Sequence, residues 1–360
     1  MVFPSDKEIS NIVIPSPNKK KESIEMKRVI LSIVCAVILL ATTAHAQQTG
    51  IYENDTINTS NPERTITTPH HFDVVPGTDA WGTLANAPEK RAACFVSAEE
   101  ASHMTTPALI QTILDYPLII DAYAYDDHMT GMNAVSHYFP CINELVGRSD
   151  ARGLIIQLLQ EDDNRDSLSS LYLETLLCYL SYCINCSENT EVPIRYTDVT
   201  IWTPNGTPFT AHGNVTYADY TPEHEPGESY QPMTYQLALS LHYAYIAAYN
   251  VTVIAGICST YNCHAYAWYS QTSTSLCVVS PSPYINDASY VLSTCAAGRR
   301  VTYHNPNSYA HSGIVDTATS SNSTTKIVSK WGCAGLYKHY ADDCPYYYSY
   351  STLKYWKRNQ

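Results

Sequence analysis

Tyr261-Asn262-Cys263-His264-Ala265-Tyr266-Ala267-Trp268 is the stretch on which the reading of this chain turns. Asparagine is a favoured helix cap, and the four residues from Ala265 to Trp268 can continue a helix, so Cys263 falls in its first turn. Unpaired backbone N–H groups and the helix dipole stabilise negative charge there. They can bring a cysteine pKa from about 8.5 down to roughly 3.5–7.5. Cys263 is therefore expected to be a thiolate nucleophile. His264 faces another way on the same helix and reads as structural.

Such a nucleophile needs a base within hydrogen-bond reach, and in many cysteine hydrolases a histidine supplies it from a strand well downstream. His311-Ser312-Gly313-Ile314-Val315 fits, beginning 48 residues after Cys263 at the start of a strand-like run. The next such run ends in Ser329-Lys330-Trp331-Gly332. A third group orienting the imidazole must accept its proton. A charged lysine has no acceptor, so Ser329 is the better candidate. Tyr261 is the residue expected to touch substrate. The competing readings are that Cys263 is half of a disulfide and that His311 is an ordinary core or surface member of the 13 histidines.

These residues, with Cys344-Pro345-Tyr346, resemble a group of exported bacterial proteins whose C-terminal domain is similar to the NlpC-like and CHAP-like amidases, relatives of the papain-like cysteine peptidases. The resemblance spans roughly Thr200 to Tyr346. Upstream, Leu114-Asp115-Tyr116-Pro117, Asp121-Ala122-Tyr123-Ala124-Tyr125 and Glu144-Leu145 before Arg148-Ser149-Asp150 are similar to the helical partner domain of that group. The resemblance implies a papain-like fold with Cys263 on a helix packed against a sheet and His311 on a strand. It also implies hydrolysis of an amide bond, most often in cell-wall peptide, and no cofactor or metal. The departure is in the third position, where the amidases usually carry His, Asn, Asp, Gln or Glu. An exported binding protein on the same scaffold, with a structural Cys263, is the alternative. A relative that passes the acyl group to an amine is a third reading.

The surrounding sequence sets the context. Met26-Lys27-Arg28, the apolar run Val29 to Ala41 and the small-residue site Ala44-His45-Ala46 form the three parts of a secretory signal, with translation expected to start at Met26 and cleavage after Ala46. The run is 13 residues, short of the roughly 20 a spanning helix needs. A soluble exported protein, periplasmic or extracellular, is expected. The chain carries 21 Lys and Arg against 34 Asp and Glu, a net charge of −13. Removing residues 1 to 46 takes away six basic and four acidic residues, leaving 15 against 30, or −15. That balance argues against nucleic acid as a partner.

It also removes Cys35 and leaves eleven of the 12 cysteines. In an oxidising compartment an odd number suggests up to five disulfides and one thiol kept for chemistry. Cys333 and Cys344 are one candidate pair, closing a loop from Gly335 to Asp343. Cys183-Ile184-Asn185-Cys186 reads as disulfide-bonded more readily than as half of a zinc site, since no second ligand pair accompanies it. The 30 tyrosines, against 5 phenylalanines, are mostly core and sheet residues, and Tyr346 to Tyr348 and Tyr350 are expected in or beside a strand.

The expected fold class is α+β. Residues 47–90, rich in Thr, Asn, Pro and Asp, read as a flexible linker or loosely packed arm. Residues 91–189 read as an α-helical domain, with one helix opening at Thr106-Pro107 and ending near Pro117, another headed by Asp150 and a third from Leu168. Residues 190–360 read as the papain-like domain, with a hairpin turning at Pro204-Asn205-Gly206, a helix from Tyr235 and an antiparallel sheet.

Overall fold

Ten α-helices lie among the described residues, eight of them in the N-terminal half, where those expected from Thr106, Asp150 and Leu168 are joined by five more: α1 (Asp79–Gly82), α2 (Ala87–Ala93), α3 (Ala98–His103), α4 (Thr106–Leu114), α5 (His128–Ser136), α6 (Pro140–Val146), α7 (Ala151–Glu161) and α8 (Leu168–Asn185). A 3-10 turn, Ile119–Ala124, follows Pro117. The computed structural model describes residues 64–162, 167–185, 197–216, 233–272, 275–305 and 308–359. The expected signal segment, with Cys35, the stretch 47–63 and Cys186 lie outside them.

Residues 64–90 are not a loose arm. Phe72, Trp81 and Ala87 enter the main apolar core, and Trp81 Nε1 donates to the Ala248 carbonyl at 2.9 Å. The polar composition that resembles a linker serves here as helix caps. Thr78, Asn86 and Ser97 each accept a backbone N–H three residues on, which satisfies donors that a helix start otherwise leaves open.

The C-terminal half carries two antiparallel sheets. In the small one, β1 (Thr197–Trp202) and β2 (Pro208–Gly213) form the expected hairpin, turning where Gly206 holds φ +87°, and β4 (Leu276–Cys277) joins β2. The large sheet has the order β3-β9-β8-β7-β6-β10-β5. Its strands are β3 (Thr252–Ala255), β5 (Tyr290–Ser293), β6 (Arg300–Asn305), β7 (Ser308–Thr317), β8 (Lys326–Lys330), β9 (Leu336–Tyr340) and β10 (Thr352–Arg358). Helix α9 (Tyr235–Ala248) precedes β3, and α10 (Ser282–Asn286) precedes β5.

Register assigns side chains to the two faces of the sheet. Val301 pairs with Gly313, Tyr303 with His311 and Val315 with Ile327. Because side chains alternate along a strand, Val301, Tyr303, His311, Val315, Ile327 and Ser329 share one face. The apolar residues of that face form one core with Tyr123, Tyr172 and Leu176 of the helical half and Tyr245 of α9. On the opposite face, Ile314 and Val328 pack with Ala265, Tyr266 and Trp268 and with Ile201 and Ala211 of the small sheet. The large sheet is thus a middle layer, and the fold is α+β.

The expected boundary near residue 190 separates helices from strands along the chain, but not two cores. Tyr245 donates to the Ile120 carbonyl at 2.6 Å, and Pro62–Gln360 is a single compact unit. Two glycines make close approaches to the 3-10 turn possible: an added Cβ would lie 2.0 Å from the Ala122 carbonyl oxygen at Gly131 and 2.1 Å from that of Tyr123 at Gly332.

Three local expectations are corrected. The stretch from Gly335 to Asp343 contains strand β9 rather than an open loop. Tyr346 to Tyr348 and Tyr350 lie in the connection between β9 and β10, outside any strand, with Tyr346 and Tyr348 buried. Cys94, Cys141, Cys258, Cys263, Cys295, Cys333 and Cys344 are thiols, so the disulfide between Cys333 and Cys344 is not formed. Each of that pair is committed elsewhere: Cys344 shares a hydrogen bond with the Tyr303 side chain, and Cys333 is buried beside Lys330.

Candidate functional site

Asn262 builds the local structure around Cys263. Its Oδ1 accepts the backbone N–H of Ala265 at 2.9 Å and that of Val278 at 3.1 Å, while its Nδ2 donates to the Val278 carbonyl at 2.9 Å and to Asp126 at 2.6 Å. The expected cap is present, but the turn it opens is short and passes into a π-helical turn, Ala265–Tyr269. His264 Nδ1 and Trp268 Nε1 both reach the Ser312 hydroxyl, at 2.8 and 2.9 Å, and so fasten the turn to β7. His264 thus has a fastening role, and burial pushes its pKa down to about 4.

Cys263 is buried, and its thiol is pushed well up, contrary to the expected thiolate. Desolvation is the main cause and the Asp126 carboxylate the second, while backbone hydrogen bonds at Ser312 and His264 act weakly the other way. A short turn in a dry environment leaves too little dipole to offset that loss of solvent. Asp126 is exposed as a residue, yet its carboxyl is turned toward Asn262 amid packed atoms, and desolvation raises its pKa against the pull of Asn262 and Lys330.

His311 is fully buried, and among the described residues neither ring nitrogen has a hydrogen-bond partner. The imidazole lies flat against Tyr346, with ring centroids 3.7 Å apart and planes 6° from parallel, and meets Tyr303 at 5.4 Å. Burial, then repulsion from His339 and His264, pushes its pKa well down, so it rests neutral. The backbone of Ser312, next in sequence to His311, meets the Cys263 sulfur, and both Cys263 and His311 lie near Tyr346, with no bond between thiol and imidazole.

Ser329 does not orient His311 directly. Its Oγ contacts His339 Nε2 at 2.8 Å and accepts from Trp331 Nε1 at 3.0 Å. The His339 Nδ1 faces the Tyr340 carbonyl at 2.7 Å, which requires a proton on Nδ1 and makes Nε2 the acceptor of the serine proton. The hydroxyl that could have served His311 therefore points to His339. Lys330 occupies the opposite face of β8, fully buried, donating to the Gly332 carbonyl and lying 5.5 Å above the Tyr261 ring. Tyr261 itself is nearly buried, and desolvation raises its pKa to about 12, so it offers little surface to a substrate in this state.

Sequence reasoning missed Asp126, Tyr346 and His339. Asp126 sits in Tyr125-Asp126-Asp127, with no pattern to separate it from a solvated acidic pair, and Tyr346 was expected in a sheet. Nothing in spacing alone ties His339 to Ser329. Among the described residues no group of three or more His, Cys, Asp and Glu side chains is arranged to hold a metal ion, and no helix is long and apolar enough to cross a membrane.

The fold and site define an α+β protein with a buried thiol at the start of a helical turn and a neutral, unbonded imidazole nearby. No protein-family model, curated protein or solved structure matches the chain.

Proposed function

We propose that the protein is an exported cysteine amidase or peptidase of papain-like type that hydrolyses an amide bond, with cell-wall peptide as its substrate class. The observation that carries this reading is an orphaned imidazole in the same neighbourhood as a thiol: the Cys263 sulfur meets the Ser312 backbone, and His311, next to Ser312 in sequence, keeps both ring nitrogens buried and without a partner among the described residues. An unpaired buried polar group costs about 1–3 kcal/mol, so its retention calls for a use. Substrate would bring the thiol and the imidazole into register, as catalytic hydrogen bonds often tighten only in the complex.

In that step the Cys263 sulfur bonds to the amide carbonyl carbon as its proton passes to a His311 ring nitrogen. The imidazolium then protonates the leaving amine as the C–N bond breaks, leaving a thioester that water hydrolyses with His311 as base. The Cys263 backbone N–H is the nearest donor for the developing oxyanion. The motif resemblance supports the substrate class and the export destination. The test is release of amines from purified cell wall and from generic amide substrates by the wild type, by Cys263→Ala and by His311→Gln. Loss of turnover in both variants is expected, and equal turnover in Cys263→Ala would refute the reading.

A second reading, a non-catalytic binding protein, is favoured by the raised thiol pKa and by the engagement of Ser329 with His339. Binding to cell wall that survives Cys263→Ala, with no turnover by the wild type, would establish it.

A further inference from the structure

The segment that carries Tyr346 is held from the far side of the molecule. Arg91, on α2, donates to the Pro345 carbonyl through Nη2 at 2.7 Å and to the Tyr347 carbonyl through Nη1, so its guanidinium grips the peptide groups on either side of Tyr346. The same guanidinium lies over the rings of Tyr138 at 4.4 Å and Tyr348 at 4.5 Å, which also meet each other at 5.7 Å. It is neutralised by the fully buried Asp121, which also accepts from Tyr249 at 2.6 Å and Tyr138 at 3.0 Å. Beside it, Lys90 pairs with Asp343 at 2.5 Å with both side chains buried, just ahead of the segment. The Tyr346 hydroxyl donates to the Ala124 carbonyl at the end of the 3-10 turn. Lys90, Arg91, Asp121, Ala124 and Tyr138 come from the helical half and Tyr249 directly follows α9, and the ring they help fix in place lies flat on His311.

We propose that Tyr346 is the positioning residue of the His311 imidazole, and that Arg91 holds Tyr346 in place by bridging the carbonyls that flank it. This rests on the reading of His311 as the general base, and it gives the helical half a task at the site. A flat aromatic neighbour blocks rotation of the imidazole about its Cβ–Cγ bond, and the Tyr303 ring at 5.4 Å is a second contact that limits its tilt. Arginine suits the grip because its planar fork presents donors in fixed directions, which a lysine ammonium does not. The charged and titratable groups that face the imidazole are His339 from β9 and His264 from the helical turn, with the Tyr303 and Tyr346 rings on its flanks.

The experiment follows the His311 ring by nitrogen NMR in histidine-labelled protein, assigned with His311→Gln, alongside the pH dependence of Cys263 alkylation by iodoacetamide. The variants are Arg91→Lys, Tyr346→Phe and Tyr346→Leu. Leu109→Ala, a core truncation on α4, is the control for general loosening. In Arg91→Lys and Tyr346→Leu the His311 titration moves up toward the free-imidazole value by about 0.5 unit or more, and the alkylation profile moves with it. Tyr346→Phe keeps the stacked ring and moves less, and Leu109→Ala lowers stability while leaving the His311 titration in place. The proposal is overturned if Arg91→Lys, which keeps the charge, folds with an unchanged His311 titration, or if Leu109→Ala moves it equally. Should Tyr346→Leu fail to fold, Arg91→Lys and Tyr346→Phe decide the matter. Turnover is assayed separately, so an inactive wild type would refute the hydrolase while the NMR outcome still judges the positioning.

Discussion

Gly332→Ala tests the packing between the sheet and the 3-10 turn. Gly332 holds φ +44°, and an added Cβ would sit 2.1 Å from the Tyr123 carbonyl oxygen, against 3.4–4 Å for ordinary contact. Placing a side chain in the left-handed region costs about 1–2 kcal/mol. The clash is with backbone, so no rotamer relieves it, and the turn must retreat by more than about 1 Å. That retreat weakens the bond from Tyr346 to the Ala124 carbonyl and the bond from buried Lys330 to the Gly332 carbonyl. A lost hydrogen bond costs about 0.5–1.5 kcal/mol, or 1.5–3 with a charged partner. The total, with both bonds lost, is about 3–6 kcal/mol, a melting point lower by roughly 10 °C for a unit of this size. The assay is urea and thermal unfolding, compared with Gly153→Ala in α7, where an added Cβ meets nothing within 4 Å. That control should be neutral or more stable by roughly 0.5–1 kcal/mol. A Gly332→Ala protein within about 1 kcal/mol of wild type would refute the close approach.

Alkylation of Cys263 should rise about tenfold per pH unit from pH 7 to beyond 9, because burial raises the thiol pKa well above its ordinary value of 9.0. A plateau below pH 7 would instead mark an ion pair with His311. Stability should fall in acid: His128, His264 and His339 have folded-state pKa values lowered from 6.5 to about 4, so the unfolded chain binds more protons in that window. Their contribution is full above pH 6.5 and is lost as the pH falls toward 4, which urea midpoints at pH 7, 6 and 5 will measure. Asp121 and Asp343, raised by burial, act in the opposite sense above the ordinary carboxyl value of 3.8. A midpoint that rises between pH 7 and 5 would show that these carboxyls outweigh the histidines. Asp121→Asn leaves the Arg91 charge buried without its partner and should cost about 3–5 kcal/mol in urea unfolding. A loss below about 1 kcal/mol would show that the tyrosines and carbonyls around Arg91 suffice.

Local chemistry was legible in the sequence. The apolar period of α4 and its stop before Pro117, the Gly206 hairpin turn and the Asn262 cap all appear where short-range rules put them, because each depends on a few neighbouring residues. The strand-like runs at Arg300, Gly313 and Lys326 became adjacent strands β6, β7 and β8 for the same reason. What depends on burial did not follow from sequence. A capped turn predicts a thiolate only if solvent and dipole can stabilise it, and the three-layer packing removes the solvent from Cys263. The odd number of cysteines implied disulfides, but pairing is a matter of tertiary distance, and Cys344 turned to Tyr303 instead.

By itself, then, the chain determined its helices, its hairpin, its α+β class and the thiol and imidazole worth examining, through caps, periods and turn residues that act over a few positions. Only the tertiary structure decided that residues 64–90 belong to the core, that Ser329 serves His339, and that Arg91 reaches the carbonyls beside Tyr346. Those contacts join residues as many as 256 positions apart. At that separation the choice of partner is made by which buried charges and ring faces the packed layers bring together, and no local pattern encodes it.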